Sequence, residues 1–213
     1  MAIVGIPLSM LKDIHTEEDA GGTSGLVELT RDQARLLYLL SLYTKPARSS
    51  KEKESWMKDL ALKALIYHLI TKHLFSDYDY APLLAQFFGL HVYMNVSQEG
   101  EDDVHDLREL GLVQRLKLST MRHMYIAAYR VTERGMEALK TVSPEDKEAV
   151  DKALSCPACG RLLSVEIPEK GPQLICLKDM GGCGFTKFID LFSIEDVPYV
   201  AKGYFPKTYS ERG

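Results

Sequence analysis

All four cysteines of this 213-residue chain fall in one short window, at Cys156, Cys159, Cys176 and Cys183. Their spacing is C-x2-C, a hairpin-sized spacer, then C-x6-C. An even set in one window can make two disulfides or one metal site. The chain opens "MAIVGIPLSMLKDIHTEEDAGG", with acids early and no basic segment ahead of a long apolar core, so it carries no secretory signature. Disulfides belong to oxidising compartments, which makes metal the preferred reading. Four thiolates suit a tetrahedral Zn2+ ion, one per chain, and leave no open position for catalysis. In "CPACG", Gly160 permits a tight turn that brings backbone amides toward sulfur. The second half is less regular, because Met180 stands where a second C-x2-C would place its first cysteine.

Other chemistry is sparse. The chain shows no Ser-His-Asp signature, no HExxH, no dinucleotide fingerprint and no phosphate loop. Gly21-Gly22-x-x-Gly25 is not followed by Gly-Lys-Ser/Thr, and the six histidines stand in no motif. His68 and His73 read as packed or surface residues. The expectation is a protein that is not an enzyme. Lys and Arg number 26 against 30 Asp and Glu, a net charge of −4, so composition implies no global attraction to nucleic acid or anionic membrane. No apolar run reaches the ~18 residues of a membrane span. We therefore expect an intracellular protein, cytoplasmic or associated with the nucleus or nucleoid.

The elements that must position these residues follow from caps and periodicity. Thr30 and Gln33 form a capping box ahead of "RDQARLLYLLSLY", a helix apolar nearly all round, which belongs in a core or a dimer interface. "TKPARSSKEKE" reads as a linker. Ser55 to Phe75 reads as one long amphipathic helix, and "APLLAQFFGL" as a short helix with Pro82 near its start and Gly89 at its end. "HVYMNV" is strand-like. Ser97 caps a helix that ends at Leu110-Gly111, with Val104, Leu107 and Leu110 as its buried stripe. Leu112–Leu118 and Met124–Thr132 read as strands joined by "STMRH". Thr132 and Ser143-Pro144 start two further helices. "RLLSVEIP", "PQLIC" and "FTKFIDLF" are strand-like segments around the cysteines.

The passages "LRELGLVQR" and "YRVTERGMEAL" resemble the winged helix-turn-helix domain of MarR/PadR-like regulators, over roughly residues 55–142. The cysteine segment resembles a zinc ribbon and, loosely, the ribbon repeats of type IA topoisomerases. The resulting expectation is an α+β chain: a mainly helical winged helix-turn-helix domain with a small C-terminal β zinc ribbon. The expected divisions are 1–54, an N-terminal segment with a buried or dimerising helix and a linker; 55–154, the winged helix; and 155–213, the ribbon with a tail rich in Tyr and Phe. The resemblance implies a DNA-reading helix before Gly111, a wing touching the backbone, and a homodimer through residues 31–43. On the wing, Arg115, Lys117, Arg122 and His123 are the nucleic-acid-binding candidates, with a solvated hairpin as the plain alternative.

The candidate reading helix has the opposite charge. It carries Glu101, Asp102, Asp103 and Asp106, which would repel phosphate and are poor groove readers. Two functions are therefore carried forward. The first, favoured by analogy between this domain pairing and transcription proteins, is a transcription-associated regulator contacting nucleic acid through its wing. The second is a protein–protein adaptor or assembly subunit that uses those four acids and the C-terminal tail to bind a partner.

Overall fold

The computed structural model describes residues 3–6, 28–47, 52–87, 90–120 and 123–192. The class is α+β. Helix α1 (Arg31–Tyr43) begins as its sequence requires: the Thr30 side chain accepts from the Gln33 amide, and the Gln33 side chain answers the Thr30 amide. Its all-round apolar character is used inside the chain. Leu36, Leu37, Leu39 and Leu40 expose no surface, and the helix packs on the helices Gln98–Glu109 and Pro144–Leu154 and on the strand His123–Val131.

Strand β2 (Glu54–Lys58) follows, then helix α2 (Asp59–Ile70). The sequence pattern runs one helix from Ser55 to Phe75, and both of its ends are corrected here. At the start, Met57 and Lys58 pair with Tyr129 and Ala128 in a sheet, and Lys58 caps α2 without any side-chain hydrogen bond. At the end, His73 takes φ 56 and the Leu74 amide donates to the Leu69 carbonyl at 3.1 Å, a left-handed helix stop normally marked by glycine. The region read as a short helix is strand β3 (Ala81–Phe87), paired antiparallel with β4 (Leu90–Val96) over its full length. Ala, Leu and Gln favour helix intrinsically, but a neighbouring β-rich partner overrides that weak preference.

Ser97 caps α3 (Gln98–Glu109) by accepting from the Gly100 amide at 3.2 Å, and Gly111 follows it at φ 69. Strands β5 (Val113–Thr120) and β6 (His123–Val131) form a hairpin. With β2 and β1 (Ile3–Ile6) they make a four-stranded antiparallel sheet in the order β1-β2-β6-β5. Thr132 caps α4 (Glu133–Ala138) and donates its hydroxyl to the Gly111 carbonyl at 2.8 Å. A Cβ at Gly135 would collide with the Leu112 carbonyl oxygen, so only glycine lets α4 sit so close to the start of β5. The two glycines and the threonine of "LGLV" and "VTERG" thus lock one corner. Helix α5 (Pro144–Leu154) leads into β7 (Ser164–Glu166), β8 (Gln173–Ile175) and β9 (Thr186–Phe188), a small antiparallel sheet.

The small sheet docks on the helical body. Leu163, Val165, Leu174 and Leu191 share one buried cluster with the leucines of α1 and α2. The Tyr43 hydroxyl donates to the Leu163 carbonyl at 2.7 Å, and the Asn95 amide donates to the Leu191 carbonyl at 2.9 Å. Among the described residues, no helix is long and apolar enough to cross a membrane.

Candidate metal centre and surrounding surfaces

Cys156 and Cys159 leave the end of α5 on one turn, and Cys176 and Cys183 leave β8 on another. The four sulfurs lie within 4.8 Å of one another. Cys156 Sγ is 3.5 Å from Cys183 Sγ, and Cys159 Sγ is 3.4 Å from Cys176 Sγ. Those separations exceed a disulfide bond, and all four are free thiols. Tetrahedral zinc with Zn–S near 2.3 Å sets its sulfurs about 3.8 Å apart, so this set could hold such an ion with little adjustment.

The two halves have the same backbone despite unequal spacing. Gly160 and Gly184, each following the second cysteine of its pair, sit at φ 72 and φ 83. Their amides donate to the Cys156 and Cys176 carbonyls at 2.8 and 2.9 Å. The amides of Cys156 and Cys176 donate in turn to Arg161 and Phe185 carbonyls. The extra residues of C-x6-C bulge out as a closed turn, the Gly182 amide returning to the Leu177 carbonyl at 2.7 Å. Met180 lies on that turn, 70% exposed. A Cβ on Gly182 would come within 2.5 Å of Cys176 Sγ, so the turn closes only on glycine. Backbone hydrogen bonding also reaches the sulfurs. The Cys183 amide donates to Cys176 Sγ at 3.3 Å, and the Arg161 amide, followed by Cys176, holds the Cys159 thiol down to about 7.

The acids of α3 divide into two kinds. Glu101 pairs with Lys63 at 2.7 Å. Asp103 accepts from Gln33 Nε2 at 2.9 Å and from the Tyr78 hydroxyl at 2.5 Å, and burial followed by that bond raises the Tyr78 pKa. These two candidates are tied into the fold. Asp102 and Asp106 are exposed together with His105 and Glu109, although Asp102 accepts from Gln98 at 2.9 Å and Asp106 from Gln33 at 3.3 Å. Gln33, Lys63 and Tyr78 are the partners that sequence reasoning missed. The Lys63–Asp59 pair at i,i+4 is the local signal that was there to be read.

The wing candidates also separate. Lys117 is exposed on β5. Arg122 lies outside the described residues, as does the tail from residue 193; His123 is placed by its backbone as the first residue of β6. Arg115 is half-buried opposite Tyr129. It lines a cleft of about 970 Å3 between α2, α3 and the β5–β6 hairpin. Arg130, nearby, is held by the Gln114 side chain, the Glu54 carboxylate and the face of Trp56, 4.5 Å away. His68 is buried, and His73 is exposed at the end of α2.

The model of the family described as Uncharacterized protein MJ1567 family matches residues 32–183 of this chain. No curated protein matches it, and no solved structure does.

Proposed function

This chain belongs to the uncharacterized protein MJ1567 family, and from that premise we propose that it is a non-catalytic binding protein. In this reading a winged-helix body is stapled by a structural zinc ribbon and docks a basic protein partner on the outer face of α3. The matched family unit runs from the first turn of α1 to the fourth cysteine, so body and ribbon belong together. Support for the winged helix comes from element order. β2 lies between α1 and α2 and closes against the β5–β6 hairpin that follows α3. The β3–β4 hairpin between α2 and α3 departs from the short turn of a helix-turn-helix. Zinc is favoured by the closed four-thiolate donor set. Metal analysis of protein prepared without chelator is expected to find one zinc per chain, and metal-free folded protein would overturn that assignment.

The observation that carries the partner reading is the outer face of α3, where Asp102, Asp106 and Glu109 flank His105. Contact with DNA phosphates requires cations that release counterions, and this face has none. On the hairpin, Arg115 lines the cleft and Arg130 is held by Gln114, Glu54 and the Trp56 ring. The nucleic-acid reading keeps one specific support, exposed Lys117 on β5.

One experiment separates the two. Affinity capture from the native cell is compared between wild type and the triple variant Asp102→Lys, Asp106→Lys, Glu109→Lys, alongside anisotropy titration of mixed-sequence duplex DNA. The expected result is a captured protein lost on charge reversal, with DNA affinity weak and unchanged by Lys117→Glu. Steeply salt-dependent duplex binding abolished by Lys117→Glu would replace this reading with the nucleic-acid one.

A further inference from the structure

The cleft between α2, α3 and the β5–β6 hairpin takes no part in the metal centre, and it shares only its rim, Asp102 and His105, with the outer face of α3. Its volume of about 970 Å3 is that of a small-molecule site, which ordinarily measures roughly 300–1,000 Å3. Ile66, Val104, Phe87 and Ile126 give it an apolar wall. Its charged lining is Lys58, Lys63, Arg108 and Arg115 against Asp59, Glu101 and Asp102, a surplus of one positive charge in a chain whose net charge is −4. The carboxylates are largely answered within the wall. Lys63 spans Asp59 at 3.1 Å and Glu101 at 2.7 Å, and Asp102 takes the Gln98 amide.

Arg115 is different. Its Nε is buried and has no hydrogen-bond partner in the protein. A guanidinium offers only N–H donors and no acceptor, so this Nε is satisfied only by an acceptor brought to it. A buried charged donor left without an acceptor is costly, and the cleft beside it is where an acceptor can come from. Carboxylate geometry matches the guanidinium fork, which can donate from two nitrogens at once.

We propose that this cleft binds a small amphipathic anion, a molecule with an apolar body and a single carboxylate head, with the head on Arg115 and the body along Ile66, Val104 and Ile126. The single surplus charge favours a monoanion over a phosphate ester. The partner-docking reading rests on Asp106 and Glu109, which do not line the cleft, and on the shared rim residues Asp102 and His105; the anion proposal rests on Arg115 and the apolar wall.

The test uses the full chain with its metal. The fluorescent monoanion 8-anilinonaphthalene-1-sulfonate is titrated to saturation, then displaced with decanoate or with decanol. Decanoate is expected to displace it and decanol to do so far less. Arg115→Met should weaken decanoate roughly tenfold or more, the scale of one lost charge-assisted bond, with far-ultraviolet dichroism and zinc content unchanged. Equal displacement by acid and alcohol, or unchanged decanoate affinity in Arg115→Met, would overturn the proposal. Amide chemical-shift mapping on the wild type keeps the question decidable should the variant not fold. Decanoate shifts gathered on α2, α3 and β5 support the site, and shifts gathered on Leu83 and Leu84 of β3 refute it.

Discussion

In the body, α1 alone places four leucines with no exposed surface, and α2 adds Ala61, Ala64, Leu65 and Leu69 on the same terms. In the ribbon, β7, β8 and β9 are three residues each, and every residue of β9 is exposed. The body can be held by apolar burial because its helices present wide apolar faces to one another. A segment of about forty residues with such short strands buries too little to hold itself, which is where a metal ordinarily takes over. The two regions nevertheless share one buried cluster, so the ribbon adds its side chains to a core it could not build alone.

The largest expected effect belongs to the proposed zinc site of the four clustered cysteines. Zinc binding to such sites carries on the order of 10 kcal/mol of folding free energy. Chelation, or Cys176→Ser, should release the ribbon: hydrogen exchange at β7 and β8 amides should lose most of its protection while α1 amides keep theirs. Uniform loss across both regions would show that the body depends on the ribbon for its fold, and unchanged protection in the ribbon would show that the metal does not hold it.

Local signals in the sequence marked the parts whose physics is local. The caps at Thr30, Ser97, Thr132 and Ser143 all appear as side-chain hydrogen bonds. The four cysteines were legible as one set, while the equivalence of C-x6-C to C-x2-C was not, because it depends on a turn closed between Leu177 and Gly182. What failed was non-local. β2 and β3 are strands because of partners elsewhere in the chain, and no composition cue in "ESWMK" or "APLLAQF" overrode the helical pattern. The end of α2 was hidden because a histidine fills the left-handed position. That Asp103 is tied inward is not legible from α3 alone, because Gln33, which donates to it and to Asp106, lies 70 residues from Asp103. Arg115 reads as a wing residue from sequence because alternation along β5 says which face it occupies and nothing of the cleft beside that face.

A second effect belongs to the joint between the regions. His68 on α2 is buried, hydrogen-bonded to the Ala153 backbone and near Lys187 of β9. Burial first, then Lys187, lowers its pKa from 6.5 to about 4. The unfolded chain therefore binds this proton at a pH where the folded chain does not. Stability from the neutral imidazole is complete above pH 6.5 and falls as pH drops toward 4, by on the order of 3 kcal/mol. Thiolate protonation also weakens metal binding in acid, so the readout is the difference between wild type and His68→Gln in urea melts from pH 7 to pH 4.5. A smaller acid loss in the variant is expected; parallel curves would mean the imidazole is charged in the folded protein.

The smallest effect probes α3, where the contrast between held and open surface recurs within one helix. Asp103 closes the Tyr78 and Gln33 hydrogen bonds, while Asp102, one residue earlier, meets Gln98 at the surface. Asp103→Ala should cost roughly 1–3 kcal/mol, since it strips a partly buried hydroxyl and amide of a charged acceptor. Asp102→Ala should stay within about 0.5 kcal/mol, as exposed substitutions do. Denaturant melts of the two variants decide it. Equal costs would mean that the Asp103 network is solvated and that Asp103 joins the exposed acids available to a partner. Unequal costs mean that the acidity has two origins: Asp103 fastens α3 to α1 and to the segment after α2, and only the exposed remainder is left for recognition.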